Sequence, residues 1–373
     1  MEDPAISLLE EMLKIYTPSG REEPLSRFLA ERMNHLGFDD VQVDRVNNVI
    51  GTVGSGYPSI LLCGHMDTVP GVQPVKIVND LIFGRGAVDA KSSLAAMIIA
   101  ASELIDKEDY GKVIVAGVVD EEGMGTGIKE LIKGSIRADY AIFGEPSSIE
   151  NITIGYKGRI SLTIICKTAS VHASAPWMSQ NAIEKAFEVW GAISSYTSQG
   201  KDDKNRFNSL TACITKIRGG TAHNVLPGTC RITTDIRIPP QTSCSKVHQD
   251  IMEIIDKYQS DVSFPKIEVK VDEMTEPFET DKNSPLVRAL SVAILNVTRR
   301  RPILVRKTGT GDMNAFGHAL KVPVVTYGPG NPHLSHTHKE YIEISDYLSC
   351  VKIYYEALLN IRKFHGPDRQ SST

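Results

Sequence analysis

At 373 residues, with 41% hydrophobic and 23% charged side chains, the chain has ordinary globular composition and enough length for about two domains. A formal charge of −4 gives no general attraction to nucleic acid or anionic membrane, and the apolar runs fall far short of a bilayer span. The acidic start Met1-Glu2-Asp3-Pro4 lacks the order of a secretory signal, and the six scattered cysteines, with no Cys-x-x-Cys, read as reduced core thiols; the expected location is the cytoplasm.

Ile6, Leu9, Met12 and Leu13 predict a helix over 4–16, and Leu25, Phe28, Leu29 and Met33 a second over 23–36, closed by Gly37. Residues 41–53 and 60–64 read as strands, and the second delivers His65 and Asp67 to the point where the apolar run stops. Residues two apart on a strand share a face, so His65 reads as a metal ligand and Asp67 as the carboxylate that receives its other ring N–H. A glycine-rich turn, Gly84-Arg85-Gly86-Ala87-Val88-Asp89, precedes a helix over 90–105. Strand 112–119 then runs into Asp120-Glu121-Glu122-Gly123, helix 127–133 follows, and strand 140–143 leads into Gly144-Glu145-Pro146. This β-α-β-α-β order implies an α/β fold with a mainly parallel central sheet, whose ligands collect at the carboxyl ends of the strands. His65, Asp89, Glu122 and Glu145 all follow such ends or the turns after them, so they are expected to converge.

From about residue 155 the texture changes to long strands (160–167, 209–218, 229–238, 266–271) with helices over 181–196 and 243–258. That β-α-β-β-α-β order matches an inserted ferredoxin-like α+β domain of about 110 residues. The first texture resumes near 275 with helix 285–295, strands 303–307 and 322–327, and a closing helix over 345–364; only the tail after His365 reads as loose. The domains are therefore drawn as 1–158 with 275–373, and 159–274.

Paired divalent ions bridged by one carboxylate, with a free carboxylate beside their shared water, make a hydrolytic site. Glu121 and Glu122 emerge from a strand to opposite sides, so one can bind metal while the other faces the water. Taken singly, each element has an ordinary reading: Asp120-Glu121-Glu122 as a solvated acidic turn, Asp89 as a helix N-cap, Glu145 as loop. His333, His336 and His338 crowd six positions near the C-terminus, and one should be a ligand; spacing alone leaves open which.

In order, Gly64-His65-Met66-Asp67-Thr68-Val69-Pro70, Gly84-Arg85-Gly86-Ala87-Val88-Asp89-Ala90-Lys91, Asp120-Glu121-Glu122-Gly123, Gly144-Glu145-Pro146 and Ser335-His336-Thr337-His338-Lys339-Glu340-Tyr341 resemble the markers of the co-catalytic dizinc aminoacylase, carboxypeptidase G and succinyl-diaminopimelate desuccinylase family. The resemblance implies two zinc ions, with cobalt as a possible substitute: Asp89 bridging, His65 and Glu145 on one ion, Glu122 and His336 on the other, Glu121 as general base and Asp67 in support. It also implies a cis peptide at Asp89–Ala90. The inserted domain is implied to be a lid and homodimerisation domain whose His172 polarises the scissile carbonyl of the neighbouring subunit's site. Asn224 and Arg237 are implied to grip a substrate carboxylate, a role that suits a guanidinium.

Gly155-Tyr156-Lys157-Gly158-Arg159 and Lys307-Thr308-Gly309-Thr310-Gly311-Asp312-Met313-Asn314 resemble the prokaryotic branch that releases lysine or ornithine from a small acidic amino-group carrier protein in lysine and arginine biosynthesis. Relatives deacetylate N-acetyl-lysine or N-acetylornithine. Thr308 and Gly309 are expected substrate contacts. An acidic carrier would need a basic docking patch, for which Lys157, Arg159, Arg299-Arg300-Arg301, Arg306 and Lys307 are the candidates. The alternatives are a dizinc dipeptidase or carboxypeptidase, and a non-enzymatic metal-dependent scaffold, which would lack the base or a ligand.

Overall fold

A computed structural model describes residues 3–134, 136–199, 205–261 and 264–365, and the tail after His365 lies outside them. The chain divides into two units: Met1–Gly155 with Glu279–Arg306 and Ala315–Thr373, and Tyr156–Phe278 with Lys307–Asn314.

The heart of the first unit is four parallel strands, Lys112–Val118, Ser59–His65, Tyr140–Phe143 and Val324–Thr326, side by side in that order. Their near-continuous apolar sequences are those of strands covered on both faces. Antiparallel strands flank them: Val49–Val53 and Asp40–Val43 on one side, Asn151–Tyr156 on the other. The sheet is therefore mixed, parallel at its centre and antiparallel at its edges.

The stretch 41–53, expected as one strand, is a hairpin. Asp44 accepts from the N–H groups of Val46 and Asn48, both at 2.9 Å, and Asn47 takes φ +73°, turning the chain back on itself. The helix Lys91–Ser102 is buried along nearly its whole length between the sheet and the helices Pro4–Lys14 and Ile344–His365, which explains why apolar residues surround it on every side. The strand Asn151–Tyr156, a helix at Asp312–Leu320, and a small antiparallel sheet of Lys76–Val78, Leu81–Phe83 and Tyr341–Glu343 had no counterpart in the sequence reading.

The second unit is a four-stranded antiparallel sheet in the order Thr211–Gly219, Thr229–Ile238, Gly158–Lys167, Lys266–Thr275. Helices Ala182–Ser198 and Cys244–Gln259 pack through Ala186, Val189, Ile193, Val247, Ile251 and Ile255 onto Ile160, Leu162, Ile164, Ile232 and Ile236. The sequence reading grouped 307–314 with the first unit; here the segment clusters with the second, and Asn314 Nδ2 donates to the carbonyls of Lys157 (3.1 Å) and Glu276 (2.8 Å). Among the described residues, no helix is long and apolar enough to cross a membrane.

Candidate metal centre

His65 is the last residue of its strand and is 2% exposed. The chain leaves the ladder there, so Asp67 does not share a strand face with it as expected. The His65 Nδ1 instead faces the backbone carbonyl oxygen of Asp67 at 2.9 Å, with the Asp67 carboxylate farther off at 3.5 Å. A carbonyl only accepts, so Nδ1 carries a proton, and Nε2 points at Asp89 Oδ1, 3.2 Å away. The other Asp89 oxygen lies 3.2 Å from His336 Nε2, and that nitrogen is 2.7 Å from Glu122 Oε1. Asp89 thus stands between two imidazoles, one per oxygen.

Asp89 closes the glycine-rich turn, and its peptide bond to Ala90 is cis, as the resemblance implied. The N-cap of the following helix is Ala90, so the capping role considered for Asp89 does not apply. Gly86 shapes this turn at φ +92°, and an added Cβ would lie 3.0 Å from the Lys91 side chain and 3.1 Å from Thr68 Cγ2. Glu121 and Glu122 follow Asp120, a non-glycine residue at φ +61°. The Asp67 carboxylate holds this acidic turn by accepting from the Glu121 and Glu122 N–H groups, both at 3.0 Å, and from the Ser19 hydroxyl at 2.7 Å. Glu22 accepts the Asp120 N–H at 3.0 Å.

Ligand atoms of His65, Glu121 and Glu145 lie within 4.8 Å of one another, as do those of His65, Asp89 and Glu122. The chemistry of this donor set fits divalent metal, because neutral imidazole and carboxylate oxygen are what such ions take and the carboxylates outnumber the imidazoles. The same imbalance shows in the proton affinities. Burial opposes charge on His65, yet Asp67 and Asp89, with Glu121 and Glu145 beyond, push its pKa well above the ordinary value. Contact with Asp89, and with Glu122, raises His336 to about 9 against its partial burial. Burial first, then the Glu122 and Asp89 charges, lifts Glu121 to about 7 despite nearby His65. Burial and the Asp89 charge raise Glu122, whereas Asp89 itself, although buried, is held below the carboxylate range by His336 and His65. The cluster attracts positive charge.

In the second unit, His172 Nδ1 accepts from the Ser174 N–H at 3.2 Å and faces the Ser174 hydroxyl at 2.7 Å, an arrangement that leaves the ring proton on Nε2 of an exposed side chain. The loop carrying Asn224 lies alongside: the Ala173 N–H donates to the Asn224 carbonyl at 2.9 Å and the Leu226 N–H to that of Val171 at 2.8 Å. Arg237 pairs with Asp235 through Nε at 2.6 Å and Nη2 at 3.2 Å, and its Nη1 is 3.5 Å from Thr310 Oγ1, beside Thr308 and Gly309.

Lys157 corrects an expectation. It was a candidate for the docking patch, but it is 1% exposed and its Nζ donates to the carbonyls of Arg206 (3.1 Å) and Ser209 (2.5 Å). Arg159 is engaged by Asp235 and Glu273, Arg300 by Glu150 and Arg306 by Glu279. Glu340, quoted in a motif but given no role, is buried at 1% exposure. It immediately precedes the pairing of Tyr341 with Phe83, which no local pattern announces.

Residues 61–360 match the family described as peptidase family M20/M25/M40. A protein of Saccharolobus islandicus named LysW-lysine/LysW-ornithine hydrolase is 36% identical over 358 residues, 95% of each chain. Among solved structures, the fold resembles the aminopeptidase PepT of Bacillus cereus (TM-score 0.81, 20% identity, 96% of this chain and 98% of that one). It also resembles the M20 family metallo-carboxypeptidase Sso-CP2 of Sulfolobus solfataricus (TM-score 0.79, 18% identity, 97% and 100%).

Proposed function

The chain belongs to peptidase family M20/M25/M40, and from that membership we propose that it is an amide hydrolase releasing lysine or ornithine from a LysW-type carrier protein. The observation that carries this reading is the 36% identity, sustained over 95% of both chains, to a relative named for that reaction. N-acetyl-lysine and N-acetylornithine are weaker substrates in this account.

The centre would hold two divalent ions, zinc or cobalt, with Asp89 shared, His65 and Glu145 on one side and Glu122 and His336 on the other. When bound, such ions polarise the amide carbonyl and acidify water. Glu121, whose carboxyl sits near neutrality, takes a proton from the attacking water and passes it to the departing amine. The Asp67 carboxylate keeps Glu121 and Glu122 in register through their backbone N–H groups. Arg237 and Asn224, with Thr308 and Gly309, hold the α-carboxylate of the amino acid. The Nε2–H of His172 donates to the scissile carbonyl across a homodimer, for which the second unit, ferredoxin-like in strand order, serves as lid and dimerisation domain. Arg299 and Arg301, exposed beyond the helix Pro285–Thr298, are candidates for steering an acidic carrier in the cytoplasm.

The test is release of free lysine or ornithine, followed by mass spectrometry, from the carrier conjugate, the N-acetyl amino acids and a set of dipeptides with added zinc or cobalt. The carrier conjugate should give the highest kcat/KM, and rising salt should depress its rate more than that of N-acetyl-lysine. Faster turnover of a dipeptide would replace this reading with a dipeptidase.

A further inference from the structure

Glu340 lies four residues past His336 and immediately before the strand Tyr341–Glu343. Its side chain is buried, and a buried carboxylate persists only when it is paired and hydrogen-bonded. Oε2 accepts from Arg85 Nη1 at 2.9 Å. Oε1 accepts from three backbone N–H groups of one turn: Gly86 at 3.0 Å, Val88 at 2.9 Å and Asp89 at 2.9 Å. The two carboxylate oxygens thus meet four donors, and Arg85, in an ion pair with Glu340, supplies the balancing charge.

The turn that Glu340 grips belongs to no strand or helix, so no ladder fixes it. Its last N–H is that of Asp89, the residue whose two oxygens divide between His65 and His336. The Glu340 main chain is tied in as well, its carbonyl accepting from Gln73 Nε2 at 2.8 Å and, more loosely, from the Gly84 N–H at 3.4 Å. A single short segment, 336–340, therefore carries one member of the cluster and the clamp on another.

We infer that Glu340 is the positioning residue of the metal centre, holding the Asp89 main chain so that the Asp89 carboxylate faces both ion positions. The inference rests on the assignment of Asp89 as the shared ligand. Glu340 contacts Arg85 and the backbone of the turn, and its effect on the centre passes through Asp89.

The test measures zinc affinity of the metal-stripped full chain by competition with a chelator, alongside the thermal midpoint and steady-state kinetics. Glu340→Gln should weaken zinc binding by about 10–100-fold, the usual effect of removing a group that orients a ligand, and should lower kcat with KM little changed. A merely structural role would lower the thermal midpoint and leave the zinc affinity of the folded protein unaltered, and that result overturns the inference. Should Glu340→Gln fail to fold, Glu340→Asp keeps the charge but withdraws the oxygen from the N–H groups; it should also weaken zinc binding, and wild-type affinity in that variant is equally contrary. Asp89→Asn separates the two levels. If it loses zinc while both Glu340 variants retain it, only the role of Glu340 falls; if it binds zinc normally, the reading of the centre falls and this inference with it.

Discussion

His65 turns its Nδ1 toward the backbone carbonyl of Asp67, 2.9 Å away, and the Asp67 carboxylate is thereby available to fix the Glu121-Glu122 turn through two N–H groups. Burial alone would raise this carboxyl, but His65, Ser19 and the Glu122 N–H hold it at about 2. Asp67→Asn keeps one acceptor oxygen and replaces the other with a donor facing an N–H. It should lower kcat by about 10–100-fold, whereas Ser19→Ala should cost less than about 10-fold. Steady-state kinetics on the two purified variants checks the ranking.

Arg237 is already engaged by Asp235 on one edge of its guanidinium, so a substrate carboxylate would meet the Nη1 edge beside Thr310. Lysine has the charge but not the fork. Arg237→Lys should raise KM about 10-fold or more with a smaller change in kcat, as expected for binding lost equally in ground and transition states. A fall in kcat at constant KM would show a role in the chemical step.

His172 presents an Nε2–H because the Ser174 N–H occupies Nδ1. His172→Ala should lower kcat by about 10²–10³-fold, the range for removal of one oxyanion donor. If the histidine acts across a dimer, mixing His172→Ala with Glu121→Gln subunits should restore part of the activity, since each heterodimer contains one complete composite site. Verified heterodimers with no recovery would argue for action within one subunit.

Lys157 makes the stability of the protein rise with pH in the alkaline range. Burial, with repulsion from Arg237, lowers its pKa from 10.5 to about 8. Between those values the unfolded chain binds more protons than the folded one, so this residue's contribution to stability rises with pH across that window and is lost as pH falls toward 8. The gain should be on the order of 2–4 kcal/mol. Denaturant titrations of the wild type and Lys157→Met at pH 7 and pH 10 should show the wild type gaining stability relative to the variant; parallel changes would contradict this.

The sequence exposed His65, Asp89, Glu122 and Glu145 because each sits at or just after the point where an apolar run or a glycine-rich turn stops, and chain order predicted that such ends share one edge of a sheet, whereas His336 was singled out only by the family resemblance. It could not tell that the His65 partner is the carbonyl of Asp67, since that depends on how the chain leaves the ladder. Lys157 reads as surface because lysine usually is, and only the loop 206–211 folded over it supplies the carbonyls that bury it. Glu340 was invisible for a related reason: its partners lie some 250 positions earlier and meet it through a small sheet of short strands with no periodic signature. The hairpin at 41–53 was missed because Asn47 and Asp44 make the turn without a glycine.

The central claim is that these carboxylates and imidazoles form a metal-loaded hydrolytic site in which Glu121 moves the proton. The most direct measurement is on Glu121→Gln, which removes the base and keeps its size. Elemental analysis should find about two divalent ions per chain, as in the wild type, and release of lysine from the carrier conjugate should fall by about 10²–10⁴-fold, the contribution expected of a general base. Near-wild-type turnover by Glu121→Gln with its metal intact would contradict the account.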